Sequence, residues 1–143
     1  MAFLSVNYLS IVLAAVAAWI FGAAYYGGLG KFWVEAQGRT MEKFKQEQAA
    51  KSGSLAGLLP FVIAFVAELI IAYVLYGILM HMGQFTIRAG VISGAFCWFG
   101  FVLTTVAVNN AFSGRSVKLT AIDGGHWLGV FIVIGAIIGA MGP

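Results

Sequence analysis

The stretch 58–82, LLPFVIAFVAELIIAYVLYGILMHM, decides the fold of this chain of 143 residues. Its only formally charged side chain is Glu68. A helix of roughly 20 apolar residues crosses a bilayer, so this stretch predicts a transmembrane helix. A carboxylate near the middle of such a helix costs about 2.5–3.5 kcal/mol on insertion scales. We therefore expect Glu68 to have either a partner inside a helix bundle or a function.

Three other apolar stretches, at about 4–26, 87–112 and 119–141, are also long enough to cross a membrane. Only 9% of the residues are charged and the mean hydropathy is +0.97, whereas soluble domains carry about 25% charged residues. The sequence thus predicts an all-α membrane protein. Its single integral domain, 1–143, contains four transmembrane helices.

The basic residues predict how the four spans are oriented. The connections 27–57 and 113–118 must lie on one side of the membrane, and together they hold seven Lys and Arg residues. The other side has only Arg88. By the positive-inside rule, the two connections are cytoplasmic and both termini are periplasmic in a bacterial inner membrane. Because no basic region precedes the first span, we do not expect a cleaved signal peptide.

The connection between the first two spans contains a predicted short helix. Thr40 is a suitable N-cap, and Ser52-Gly53 ends the helix after Lys51. Trp33 and Phe44 contribute to a partly apolar side. We interpret this short helix, within an interfacial segment at about 31–53, as lying on the cytoplasmic interface, with a solvated connecting helix as the alternative.

Small residues predict how the spans pack. Burial from water does not drive helices together inside lipid, and small side chains instead allow close backbone approach. The chain has 19 glycines, and several are spaced by four, which favours a tight bundle packed through glycine and alanine. The glycines assigned to helix packing are Gly90, Gly94, Gly125, Gly129, Gly135 and Gly139. In the second span, Ala64, Glu68 and Ala72 form one stripe, so Glu68 should point into protein.

A second group of polar residues lies around the hairpin that joins the last two spans. We expect its members to converge at the cytoplasmic mouth, where they bind a polar solute, an ion or a lipid headgroup. The alternative is a structural cluster with an ion pair between Arg115 and Asp123. The candidate binding residues, including the mid-span carboxylate, are Glu68, Thr105, Asn109, Asn110, Arg115, Asp123 and His126.

Catalytic and metal-binding signatures are absent from the sequence. It has no HExxH, GxSxG, CxxC or P-loop spacing, so we expect no enzyme activity and no cofactor. His81 and His126 fall near opposite membrane faces, and no metal site is expected. Cys97 is the only cysteine, which excludes an intramolecular disulfide. No basic patch interleaved with aromatic residues supports nucleic-acid binding.

Three longer motifs carry a resemblance to a known family. They are YYGGLGKFW at 25–33, WFGFVLTT at 98–105 and NNAFSGR at 109–115. The chain resembles the bacterial and fungal four-helix membrane proteins called domain of unknown function seventeen-sixty-one. The stretch 123–127, DGGHW, is similar to that of alphaproteobacterial members. Members often have a proline before the Gly-Lys of the first motif, and here Gly28-Leu29 stands there. The resemblance implies topology and no chemistry.

Three classes of function remain open at this stage. The first is an oligomeric protein that handles a small solute, an ion or a lipid; burial disfavours the charged form of Glu68, which suits proton or cation coupling. The second is an accessory subunit of a larger membrane complex. The third, an intramembrane enzyme, is disfavoured because the catalytic motifs are absent. The expected partners are the lipid bilayer and either further copies of the chain or other membrane subunits.

The predicted topology can be tested with single cysteines introduced after Cys97 is replaced by serine. Cysteines at Ser52 and Ser113 should react with a membrane-impermeant maleimide only from the cytoplasmic side. A cysteine at Gln84 should react only from the periplasmic side. Labelling of Ser52→Cys and Gln84→Cys from the same side would contradict four spans.

Overall fold

The computed structural model describes residues 6–143, which form five helices and no strand. Four helices are long and apolar enough to cross a membrane, which confirms the predicted all-α architecture. The predicted start of the first span, at residues 4 and 5, lies outside the described residues. The helices are α1 (Tyr8–Ala36), α2 (Met41–Lys51), α3 (Leu55–Met82), α4 (Ile87–Phe112) and α5 (Val117–Met141).

The first helix is longer than the sequence suggested. The predicted span ended at residue 26, but α1 continues through a glycine-rich stretch to Ala36. A glycine inside a helix costs only about 1 kcal/mol relative to alanine, and tertiary contacts offset that cost. Val34 is completely buried and Trp33 bonds to the last helix. The predicted short helix after Thr40 is confirmed: α2 ends at Lys51, and Thr40 caps it through the backbone N–H of Lys43.

The last helix, α5, is the centre of the bundle and packs against α1, α3 and α4. In its most apolar window 44% of the residues are buried, against 11% for α4. Val130, Ile134 and Ile138 of α5 are completely buried and meet α1 and α3 in one apolar core. Residues of α5 are thus the ones most constrained by neighbours.

Glycines let α4 and α5 touch through their backbones. A Cβ atom added at Gly90 would collide with the backbone of Gly135, and the reverse also holds. A Cβ atom at Gly139 would collide with the carbonyl group of Thr86, and one at Gly94 would lie 2.6 Å from a carbonyl oxygen of α5. Only glycine fits at these contacts, because any side chain would push the two helices apart.

On its other side α5 packs against aromatic side chains of α1. A Cβ atom at Gly125 would lie 2.7 Å from the Tyr25 hydroxyl, and one at Gly129 would collide with the Phe21 ring. These glycines provide the space into which the two rings fit. Helix α5 therefore uses Gly135 and Gly139 to approach the backbone of α4, and Gly125 and Gly129 to accommodate side chains of α1.

Three of the four connections between the described helices lie at one end of the bundle, which we call the basic end and define by residues 36–41, 51–55 and 112–117. The Ser116 hydroxyl there donates a hydrogen bond of 2.7 Å to the Ala36 carbonyl. At the opposite, terminal end, the backbone N–H of Asn7 donates to the Tyr76 hydroxyl at 3.0 Å. The Asn7 side-chain amide donates to the Gly142 carbonyl at 3.2 Å. Each end is thus held by bonds between distant parts of the chain.

A pair of alanine substitutions tests the contact between α4 and α5. Gly135→Ala should lower the thermal unfolding midpoint in detergent, with a loss of about 1–3 kcal/mol typical of overpacking. Gly77→Ala is the matched control, since an added Cβ there meets nothing within 4 Å. Equal midpoints for the two variants would show that the helices do not touch at Gly135.

Candidate functional site

The first candidate group is the isolated carboxyl of Glu68 on α3. Its side chain faces the bundle interior and is 2% exposed, on the same face as the buried Ala72 and Leu75. The predicted inward orientation of Glu68 is what the structure shows. Within residues 6–143, its Oε2 atom is buried and has no hydrogen-bond partner.

The two hydroxyls nearest to Glu68 along α3 are directed elsewhere. Tyr73 is 57% exposed on the outside of the bundle, and the Tyr76 hydroxyl accepts a hydrogen bond from the Asn7 backbone. A charged carboxylate without a partner is unfavourable inside a bilayer. A carboxyl group in this position is therefore suited to carrying a proton or to binding a cation that neutralises it.

The second candidate group is centred on Asp123 in the first half of α5. Its Oδ1 atom accepts a hydrogen bond of 2.7 Å from the Tyr26 hydroxyl and one of 3.1 Å from the Trp33 indole N–H. The neighbouring Tyr25 hydroxyl donates to the Ile122 carbonyl at 2.8 Å. Three donors of α1 thus attach that helix to α5, and two of them converge on one carboxylate oxygen.

His126 lies one turn after Asp123 and is enclosed by aromatic rings. Its ring centroid is 4.8 Å from that of Tyr26, 5.6 Å from Tyr25 and 5.1 Å from Trp127. Phe21 stacks on it at 6.3 Å. The side chain is 8% exposed. Among the described residues, no atom forms a hydrogen bond with its buried Nδ1.

The structure divides the polar group that the sequence placed at one mouth. Asp123 and His126 face α1, whereas the Asn110 amide donates to the Thr120 hydroxyl at 3.0 Å between α4 and α5. Asp123 accepts its hydrogen bonds from Tyr26 and Trp33, and the ion pair with Arg115 considered above is not among the bonds of the described residues.

The remaining candidates lie on the outside of the bundle. Thr105, Asn109 and Arg115 are all exposed. The Thr105 hydroxyl donates to the Phe101 carbonyl of its own helix at 2.6 Å. Thr105 and Asn109 lie on an exposed face of α4, and Arg115 lies in the connection between α4 and α5. Among the described residues, none of the three bonds to Glu68 or Asp123.

Sequence reasoning missed the aromatic half of the site. Tyr25, Tyr26 and Trp33 were noted as a motif but not as partners of Asp123. The spacing of seven residues between Tyr26 and Trp33 puts both on one helical face, and this signal is readable only if α1 is assumed to continue past its glycines.

A π-helical segment, Trp98–Leu103 within α4, was also unexpected; the Trp98 indole donates to the Gly124 carbonyl at 2.8 Å.

A cleft of about 620 Å³ lies at the basic end, between residues 35–39 and 113–116. Arg39 and Arg115 line it together with Glu35. Arg39 is paired with Glu47 of α2, so the net positive charge of the cleft is small. Within the described part of the chain, no three His, Cys, Asp or Glu side chains cluster closely enough to hold a metal ion.

Four apolar helices around a glycine-lined centre define the class of this molecule, a multi-pass α-helical membrane protein. A family model described as "Protein of unknown function (DUF1761)" matches residues 9–139, and the chain belongs to that family. This match confirms the family resemblance of the three motifs. No curated protein and no solved structure matches the chain.

Removing one hydroxyl tests the link between α1 and Asp123. Tyr26→Phe should destabilise the protein by about 1.5–3 kcal/mol, as expected for a hydrogen bond to a charged group. Tyr73→Phe makes the same chemical change at an exposed position and should leave the thermal unfolding midpoint unchanged. If both variants unfold at the wild-type temperature, the Tyr26 hydroxyl does not hold Asp123.

Proposed function

We propose that the protein is a non-enzymatic, multi-pass protein of the bacterial inner membrane that handles a small ion, which it binds at Glu68. The observation that carries this proposal is the buried Oε2 atom of Glu68, which no described residue bonds. A purely structural carboxyl would be expected to bond to a neighbouring donor or carbonyl group, because an unsatisfied buried polar atom costs about 1–3 kcal/mol. A proton or an ion can bind to such an atom without first displacing a protein partner.

The arrangement of the glycines favours this function over that of an accessory subunit. An accessory subunit would present its glycine ridges to foreign helices. In this chain, the ridges Gly90/Gly94, Gly125/Gly129 and Gly135/Gly139 all face neighbouring helices of the same bundle. These three ridges are therefore occupied by contacts within the chain and do not serve for docking on another subunit.

The orientation belongs to the same proposal. The connections at the basic end lie together, with the Ser116 to Ala36 hydrogen bond between them. Seven of the eight Lys and Arg residues belong to the stretches 27–57 and 113–118. The positive-inside rule then makes the basic end cytoplasmic and both termini periplasmic. A proton or cation entering from the cytoplasm would approach Glu68 from the basic end.

We propose that copies of the chain associate through the outer face of α4, which in a single copy contacts the bilayer. This helix is the least buried of the four spans, and Thr105 and Asn109 give its outer face hydrogen-bonding groups. Asparagine and threonine side chains frequently bond between membrane helices. This surface suits a second copy of the chain as its partner. We expect no nucleic-acid partner.

Glu68→Gln separates ion handling from a structural role. Glutamine keeps the shape and the hydrogen-bonding capacity of the side chain but cannot titrate or carry a charge. In proteoliposomes, wild-type protein should conduct protons, Na⁺ or K⁺ under an imposed gradient, and Glu68→Gln should reduce that flux at least tenfold. Both proteins should unfold at similar temperatures.

Glu35→Gln is the matched control, because it makes the same change at an exposed position of the basic end. It should retain the wild-type flux. A wild-type protein without flux, or a Glu68→Gln variant that conducts like wild type, would contradict ion handling at Glu68 and favour the accessory-subunit function.

A further inference from the structure

We propose that His126 is a second proton-binding site, placed between the basic end and Glu68. This inference rests on the proposed function in one respect: it identifies the handled ion as the proton. Three features of the His126 ring support the proposal: its open Nδ1 atom, its fixed position and its surroundings.

The first feature is the open Nδ1 atom, which contrasts with the other histidine of the chain. In His81, Nδ1 lies 2.8 Å from the Gly77 carbonyl, one turn earlier in the same helix. The equivalent carbonyl for His126 is that of Ile122, and it accepts the Tyr25 hydroxyl instead. Tyr25 thus occupies the acceptor that Nδ1 would otherwise use. The nitrogen remains buried and unpaired among the described residues.

The second feature is the fixed position of the ring. A Cβ atom added at Gly22 of α1 would lie 2.8 Å from Nε2 of His126, so the ring edge rests against the bare backbone of that glycine. A ring flip that would exchange Nδ1 and Nε2 is hindered, because Phe21 and Tyr26 lie against the ring. A preorganised ring binds a proton without rearrangement of its neighbours.

The third feature is the set of neighbours that attract a cation and so oppose the cost of burying one. An aromatic ring within about 6 Å can attract a cation through its face, and the attraction is larger when the pair is removed from water. The rings of Tyr25, Tyr26 and Trp127 have centroids within that distance of the His126 centroid, in T-shaped or tilted arrangements. Asp123 supplies a carboxylate one turn away. When Nδ1 takes a proton from a hydronium ion, one O–H bond breaks and one N–H bond forms; water is left and the positive charge moves to the ring.

The titratable groups that face His126 are few. Tyr25 and Tyr26 come from α1, and Asp123 comes from its own helix. On α3, the one carboxylate is Glu68; Tyr73 points outward and His81 lies in the last turn, at the terminal end. On α4, Cys97 is half-buried and Arg88 lies in the first turn, also at the terminal end. Asp123 is therefore the charge that most directly affects a proton on His126.

The helix register separates His126 from Glu68 along the bundle. Trp19 of α1 donates its indole N–H to the Phe61 carbonyl of α3 at 3.2 Å, which aligns these two residues. Gly22, against which His126 lies, is three residues nearer the basic end, and Glu68 is seven residues nearer the terminal end. At 1.5 Å per residue, the two sites are about 15 Å apart along the axis. A proton that enters from the basic end would therefore meet His126 before Glu68.

Nitrogen NMR of the histidine ring tests the site directly. The probe is the proton itself, and the sample is full-length protein in lipid nanodiscs with ¹⁵N-labelled histidine and His81→Gln, which leaves His126 as the only histidine. The ¹⁵N shifts of His126 should change from the neutral to the cationic pattern in a single step between pH 5 and pH 8. Asp123→Asn should move the midpoint of that step to lower pH by about one unit, because it removes the opposite charge.

Two results would overturn the proposal: ¹⁵N shifts that stay constant across this pH range, or a midpoint that Asp123→Asn leaves unchanged. The same titration in a Glu68→Gln background makes the outcome independent of Glu68. If His126 titrates as expected while wild-type proteoliposomes conduct no protons, the proton-binding site stands and the proposed function fails. If wild type conducts but His126 does not titrate, the function stands and this inference fails.

Discussion

The bundle depends on the direct backbone contact between α4 and α5. Gly90 and Gly135 meet where neither position has space for a Cβ atom, and Gly139 repeats the contact one turn further on. In a bilayer, burial of apolar surface contributes little to helix association, so close backbone approach has to supply the attraction. This contact determines the rotation of α5 about its axis, and that rotation decides which of its side chains face α1.

The candidate site is a consequence of that rotation. With Gly135 and Gly139 facing α4, the first half of α5 directs Asp123 and His126 toward the aromatic residues of α1. Gly125 and Gly129 provide the space for Tyr25 and Phe21 on the same side. The polar chemistry therefore sits between the first and last helices, although the sequence brings Asp123 closest to the loop that carries Arg115.

The two buried ionisable side chains have different surroundings, and this difference suggests different roles. Glu68 lies on a face with Ala72 and Leu75, which offer neither charge nor hydrogen bonds. His126 lies one turn from a carboxylate and packs against several aromatic rings. The carboxyl is best suited to be neutral or cation-bound in the middle of the bundle, whereas the imidazole is placed to accept a positive charge nearer the basic end.

The sequence by itself determined the four spans and the inward direction of Glu68, because each follows from local composition or from helical periodicity, and its motifs carried the resemblance to the family. A run of apolar residues has to cover the hydrocarbon core, and the alanine stripe beside Glu68 marks the face that packs. The continuation of α1 to Ala36 depended on Trp33 and its distant partner Asp123, so only the tertiary structure decided it. The division of the polar residues into separate groups was likewise decided by the rotation of α5, since that rotation is a property of contacts between helices and has no local signal in the chain.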